Sequence, residues 1–174
     1  RLGARVTAID AAPENIAVAR QHAAAMGLAI DYRAGGVEAL EAPPYDLITC
    51  LEVIEHVTDP ALFLAKIAGL LAPDGLLIMS TPNRTALSRL MIIALAEGLN
   101  HIPKGTHDWT KFIKPGELEE LLGAHGLVVT DCRGIAFDPR RGFQLSANQQ
   151  LNYILIAVPR ASRPEHPEHD EGND

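Results

Sequence analysis

The stretch YDLITCLEVIEHVTDPALFLAKIAGLLAPDGLLIMS, residues 45–80, carries three structural signals in order. YDLITC is an apolar run of strand length, which reads as a strand buried on both faces. Asp59 and Pro60 then open a helix. An aspartate accepts from the free N–H groups of a first turn, and proline's fixed φ and missing N–H suit the first helical position. Helical spacing runs to Leu71, Pro73 to Gly75 turn the chain, and LLIMST is a second apolar strand. Strand, helix and strand over this length make a βαβ unit. Its crossover is right-handed, because a twisted strand lets the helix pack back in only that sense.

The pattern extends in both directions. Upstream, ARVTAID alternates and ends on Asp10. APENIAVARQHAAAMG has helical spacing and closes at Gly27, and LAIDYR is a short strand. AGGVEALEAPP is a loop, punctuated by Gly35, Gly36 and the Pro43-Pro44 pair. Downstream, PGELEELLGAHG reads as a helix, followed by the strands LVVTDCRGIAF and LNYILIAVP, whose short connection allows an antiparallel pairing. The alternation predicts an α/β fold: a largely parallel sheet, helices on both faces and an antiparallel last strand. LSRLMIIALAEGL, residues 87–99, breaks the rhythm, being apolar nearly all round between Arg89 and Glu97. It would span about 20 Å as a helix. Core or lid, membrane contact and partner contact are all open to it.

A chain of 174 residues with 47% apolar content can bury one sizeable core, placed here in residues 1–160 with an apolar insert at 85–112. The net charge of -7 is uneven, because EHPEHDEGND at 165–174 holds five acids and no Lys or Arg. Without that tail the body is near neutral, so no broad basic surface argues for nucleic acid. Residues 161–174 have almost nothing to bury and read as a disordered acidic tail. Cys50 and Cys132 lie in apolar strand-like runs, which favours reduced thiols over a disulfide framework. No stretch of 18 apolar residues suggests a spanning helix. The chain opens on Arg1 and almost at once on a strand, and reads as a fragment whose front is absent.

Three groups of residues can carry chemistry. Asp10 ends a strand before a helix, where an acid either binds ribose hydroxyls or caps the helix. Glu52, Glu55 and His56 follow the end of the 45–50 strand, on the side where open α/β sheets bind ligands. Two carboxylates and an imidazole suit a hard or borderline divalent ion; a solvated turn is the plain alternative. NHIPKGTHDWTKFIKP, residues 100–115, sets Lys104, His107, Asp108 and Lys111 beside Trp109 and Phe112. His107 and Asp108 could form a proton-transfer pair, or the segment could be a surface loop. Asn83, in STPNR, could bind substrate or cap a turn.

Taken together, VTAIDAAPENIAVARQHA, YDLITCLEVIEHVTDP, LLAPDGLLIMSTPNR and IPKGTHDWTKFIKPGEL resemble the class I S-adenosylmethionine-dependent O-methyltransferases of ubiquinone biosynthesis, over about residues 1–159. The most specific part is EVIEHV followed by PKGTHDWTKFIKP. The resemblance implies a Rossmann-like class I methyltransferase sheet whose first strand and glycine-rich loop are absent from this chain. It implies methylation of ring hydroxyls of a polyprenylated catechol or dihydroxyphenol, with S-adenosyl-L-methionine as donor and Mg2+ or a similar divalent ion.

Carried over, Asp10 and the adjoining Ala11 would meet the ribose, the loop with Gly36 and Val37 would flank the adenine, and Leu51 would line the adenosyl pocket. Glu52, Glu55 and His56 would hold the metal. His107 would be a proton acceptor or substrate contact, and 87–99 would touch the membrane. The implied setting is peripheral, on the cytoplasmic face of a bacterial inner membrane or the matrix side of the mitochondrial one, with a ubiquinone biosynthesis complex as partner. Alternatives are a class I methyltransferase for another small molecule, a non-catalytic scaffold in ubiquinone assembly and, more distantly, a nicotinamide-dependent oxidoreductase.

Overall fold

The computed structural model describes residues 3–90 and 108–160. The chain gathers into two compact units, Arg1–Pro43 and Pro44 onward. In the first, β1 (Val6–Asp10), α1 (Pro13–Ala25) and β2 (Ile30–Ala34) form one βαβ unit, with the strands parallel from Val6 opposite Ile30 to Asp10 opposite Ala34. The helix stops where the sequence places its glycine. Gly27 takes φ +63°, a left-handed conformation open to a residue without Cβ. There the Leu28 N–H reaches the Ala23 carbonyl at 2.9 Å and the Gly27 N–H reaches Ala24 at 3.1 Å, so two carbonyls of the last turn are satisfied.

The second unit is a five-stranded sheet in the order β3-β4-β7-β5-β6. Its elements are β3 (Tyr45–Leu51), α2 (Pro60–Leu70), β4 (Leu71–Pro82), the single turn α3 (Ala86–Ser88), α4 (Pro115–Ala124), β5 (Leu127–Asp138), β6 (Gly142–Ser146) and β7 (Asn152–Pro159). β3 and β4 are parallel, and β7 is antiparallel to both its neighbours, β4 and β5. The antiparallel last strand is therefore present, set between β4 and β5. The carboxyl ends of β3, β4 and β5 all point the same way. β6, which pairs antiparallel with β5, has no counterpart among the strands expected from sequence.

One face of this sheet makes the core. Leu77, Met79 and Thr81 of β4 stand opposite Ala157, Leu155 and Tyr153 of β7, and all six are buried. Leu64 and Ile67 of α2 and Leu118 and Leu122 of α4 are buried as well. α2 begins as the sequence predicts: Asp59 is its N-cap and accepts from the Leu62 N–H at 3.0 Å, with Pro60 in the first turn. Asp59→Ala is expected to lower stability by about 1 kcal/mol in denaturant melts, the usual cost of a lost cap. Two expectations are corrected. The five-stranded sheet is not largely parallel: only β3 and β4 pair parallel in it, and its other three pairings are antiparallel. β3 is not buried on both faces, since Leu47 and Leu51 are about half exposed while Cys50 is buried. An apolar run has no period to report which face is covered, so it overstated the burial.

Candidate active site at the strand ends

In the first unit, Asp10 closes β1. Its Oδ1 accepts from the Ala12 N–H at 2.8 Å, and Asn15 Nδ2 lies 3.2 Å from both carboxylate oxygens. Asp10 is not the cap of α1: Ala12 occupies that position and provides no side-chain bond. The carboxylate is held in place and part-exposed, with acceptor capacity left on Oδ2. That fits a ribose diol, which presents two adjacent donors. The Gly35 N–H donates to the Asp10 carbonyl at 2.9 Å, drawing the loop after β2 to the end of β1. Asp10, Ala11, Gly36 and Val37 thus share one end of the small sheet, with Ala11 and Gly36 exposed and Val37 buried.

In the second unit, β3 passes from Leu51 into Glu52, which has φ +54°. A non-glycine residue in this region costs about 1–2 kcal/mol, and such strain collects at functional sites. The Glu52 N–H donates to the Ser80 carbonyl at 2.9 Å, and Ser80 Oγ donates back to Glu52 Oε1 at 2.7 Å. A short 3-10 turn, Ile54–His56, follows, anchored by the buried Ile54. Glu55 is 4% exposed, and its Oε2 accepts from the buried Thr81 Oγ1 at 2.9 Å. His56 Nε2 stands 3.8 Å from Glu55 Oε1.

Electrostatics mark the same place. The Glu52 carboxyl is raised above its ordinary value, first by desolvation and then by the neighbouring Glu55, against the lowering by the Ser80 hydrogen bond and by His56. Burial, helped by Glu55, pushes the Cys50 thiol up to about 12. A carboxyl raised by folding binds its proton more tightly folded than unfolded. Stability therefore falls as pH rises from the ordinary carboxylate range through the raised value, and the penalty persists above it. Glu52→Gly removes this penalty together with the backbone strain. It is expected to stabilise the protein by about 1 kcal/mol, more at neutral than at acid pH, in thermal melts over a pH series.

The structure brings Glu52, Glu55 and His56 together in sequence order, but as placed they do not make a ligand set. Each carboxylate is engaged by a hydroxyl, Ser80 for Glu52 and Thr81 for Glu55. Among the described residues no group of three or more His, Cys, Asp or Glu side chains is disposed to hold a metal ion. The donors Ser80 and Thr81 lie 28 and 26 residues along the chain from the acids they serve. The signal that finds them is register, since parallel pairing sets Leu51 opposite Ser80.

Beside this turn is a cleft of about 540 Å³, whose lining includes Ile54, Glu55, Arg84, Lys111, Phe112 and Glu117. Arg84 and Glu117 form an ion pair across it. His107 lies outside the described residues, as do 91–106 of the apolar segment and the tail 161–174. Asp108 Oδ1 accepts from Thr110 N–H at 3.0 Å and from Thr110 Oγ1 at 2.6 Å, and these bonds hold its carboxyl below the ordinary value. Trp109 Nε1 donates to the Thr85 carbonyl at 3.0 Å, and the Arg89 guanidinium sits 5.4 Å from the Trp109 ring centre. Asn83 is a tether: its Nδ2 donates to the Gln149 carbonyl at 2.8 Å. Among the described residues no helix is long and apolar enough to cross a membrane.

Comparison with known proteins gives this geometry a setting. The methyltransferase domain family matches residues 1–131. A ubiquinone biosynthesis O-methyltransferase of Azorhizobium caulinodans is 42% identical over 163 residues, 91% of this chain and 64% of the relative. The protein of the same name from Methylocella silvestris is 46% identical over 164 residues, 92% of this chain and again 64% of the relative. The chain thus spans somewhat under two thirds of the length of these two relatives.

Among solved structures, the magnesium protoporphyrin IX methyltransferase of Synechocystis PCC 6803 with bound SAH superposes with a TM-score of 0.62 at 21% identity, covering 90% of this chain and 65% of that one. An S-adenosylmethionine-dependent methyltransferase of Clostridium acetobutylicum gives 0.65 at 12% identity, covering 90% and 75%. These two establish the fold, that of the class I S-adenosylmethionine-dependent methyltransferases. With the family match over residues 1–131, the chain belongs to the methyltransferase domain family, and relatives above 40% identity carry the name ubiquinone biosynthesis O-methyltransferase.

Proposed function

We propose that the protein is an S-adenosyl-L-methionine-dependent O-methyltransferase acting on ring hydroxyls of polyprenylated catechol or dihydroxyphenol intermediates of ubiquinone biosynthesis. The observation that carries this reading is identity of 42% and 46% over more than nine tenths of the chain with proteins of that name. The bound cofactor supplies a methyl group already activated on sulfur. What the chain must add is alignment of the acceptor oxygen with the methyl–sulfur bond and a place for the hydroxyl proton. In this proposal Asp10, Ala11, Gly36 and Val37 meet the adenosyl moiety. His107 and the Glu52–Glu55 pair are the groups offered to the proton and the substrate.

Among the described residues no ligand set for the divalent ion is preformed, and Glu52, Glu55 and His56 are the residues that would hold it. The same assay decides its place. Activity lost on chelation and restored by magnesium would give Glu52, Glu55 and His56 a ligand role after side-chain rearrangement, whereas indifference to a chelator removes that role. A lipid-borne substrate would place the protein peripherally, at the cytoplasmic face of a bacterial inner membrane or the matrix side of the mitochondrial one. Membrane contact would run through 87–99, with a ubiquinone biosynthesis complex as partner. The test is methyl transfer by the full chain to a prenylated catechol and to plain catechol. Preference for the prenylated acceptor is expected. Equal rates point to a methyltransferase for another small molecule, and no transfer and no S-adenosylhomocysteine binding point to a scaffold.

A further inference from the structure

The β5–β6 hairpin overhangs the sheet at the edge where the candidate site lies. β5 pairs with β7 only as far as Gly134, which stands opposite Tyr153, and Tyr153 stands opposite Thr81, the donor to Glu55. Beyond that level, residues 135–138 pair with β6 alone and project roughly 13 Å past the core of the sheet. The two faces of this projection differ. Ile135 pairs with Leu145 and Phe137 with Phe143 on one face, while the other carries Gly134, Ala136, Gln144 and Ser146.

The apolar face is turned to solvent. Phe137 is 65% exposed, Phe143 79% and Leu145 68%. The two rings pack edge to face with centres 5.2 Å apart, so they form one apolar knob. At the tip, Asp138 Oδ1 is engaged by the N–H groups of Arg140 and Arg141 at 2.7 and 3.1 Å. The two arginine residues themselves are exposed. In a chain of net charge -7, this turn is a local basic point beside exposed aromatic rings.

We infer that the β5–β6 hairpin is a lipid-docking element, with Phe137, Phe143 and Leu145 entering the acyl boundary of a bilayer and Arg140 and Arg141 pairing with anionic headgroups. The charge decides the occupant. Rings with adjacent arginines match the interface of an anionic membrane, where each basic residue near the surface contributes about 1 kcal/mol, roughly fivefold in affinity. The position gives the purpose, and for that the inference rests on the proposed lipid-borne substrate. A hairpin seated in the membrane would hold the carboxyl ends of β3, β4 and β5 toward the lipid.

The test is co-sedimentation of the full chain with phosphatidylcholine vesicles, with and without phosphatidylglycerol, in the absence of cofactor and substrate. Failure of the methylation reading therefore leaves this measurement standing. Arg140→Glu with Arg141→Glu, and separately Phe137→Ser with Phe143→Ser, should each lower binding to the anionic vesicles by on the order of tenfold or more with Tm nearly unchanged. Four results would overturn the inference. One is no vesicle binding by the parent chain. A second is binding that both variants retain, which would leave contact to 87–99. A third is a large fall in Tm of the phenylalanine variant, which would mean that another part of the chain covers the rings. The last is a parent oligomer that either variant dissociates while vesicle binding holds, which would assign the face to a second copy through the edge strand β6.

Discussion

Tyr153→Ala is expected to destabilise the second unit by about 3–5 kcal/mol, the range for removing a large ring from a packed core. Tyr153 is fully buried near the start of β7, opposite Thr81 on one side and Gly134 on the other. Its hydroxyl donates to the buried Ile113 carbonyl at 3.1 Å, tying the sheet to the segment that enters α4. Burial, with Cys132 adding to it, pushes the phenol far above its ordinary value, so it remains a donor throughout the working pH range. Tyr153→Phe keeps the ring and removes only this donor, leaving the carbonyl unsatisfied at a cost of about 1–3 kcal/mol. Urea melts followed at the single tryptophan, Trp109, compare the two variants. A Phe variant as costly as the Ala variant would mean that the hydroxyl, rather than the ring, holds this core.

How much of this could be read from residues alone follows from which signals are local. Asp59-Pro60 and Gly27 fix helix ends through bonds spanning a few residues, and both helices sit where that chemistry puts them. The antiparallel β7 follows from a short connection and alternation that persists in its burial. β6 escaped because its alternation is inverted, with Phe143 and Leu145 facing solvent, so the rule that apolar positions mark the buried face gave no strand there. At the site, the acidic turn stood out as sequence, but the state of its carboxylates did not. Ser80 and Thr81 reach Glu52 and Glu55 only through the register of β3 on β4, which no local pattern records. Each of the two acids gives one oxygen to a hydroxyl, a contact that the sequence spacing does not reveal.

Asp10→Asn is expected to weaken binding of S-adenosylhomocysteine by about 10–100-fold while leaving the fold intact. The asparagine side-chain oxygen can still accept from the Ala12 N–H, as Asp10 Oδ1 does at 2.8 Å, so the turn between β1 and α1 survives. It loses the charge and one of the two acceptor oxygens that a ribose diol needs. Hydrogen bonds to a charged group contribute about 1.5–3 kcal/mol, and each 1.4 kcal/mol is tenfold in affinity. Asp10→Ala should bind as weakly and also melt earlier, because the Ala12 N–H then loses its acceptor. The pair separates two roles that share one residue. If Asp10 serves only to hold the turn, the Asn variant will bind like the parent in calorimetric titration and only the Ala variant will suffer. If it receives the ribose, the two variants will be equally weak binders of unequal stability. That second outcome is expected, because α1 already starts from Ala12 without a side-chain cap and Asp10 keeps acceptor capacity on Oδ2 for a ligand.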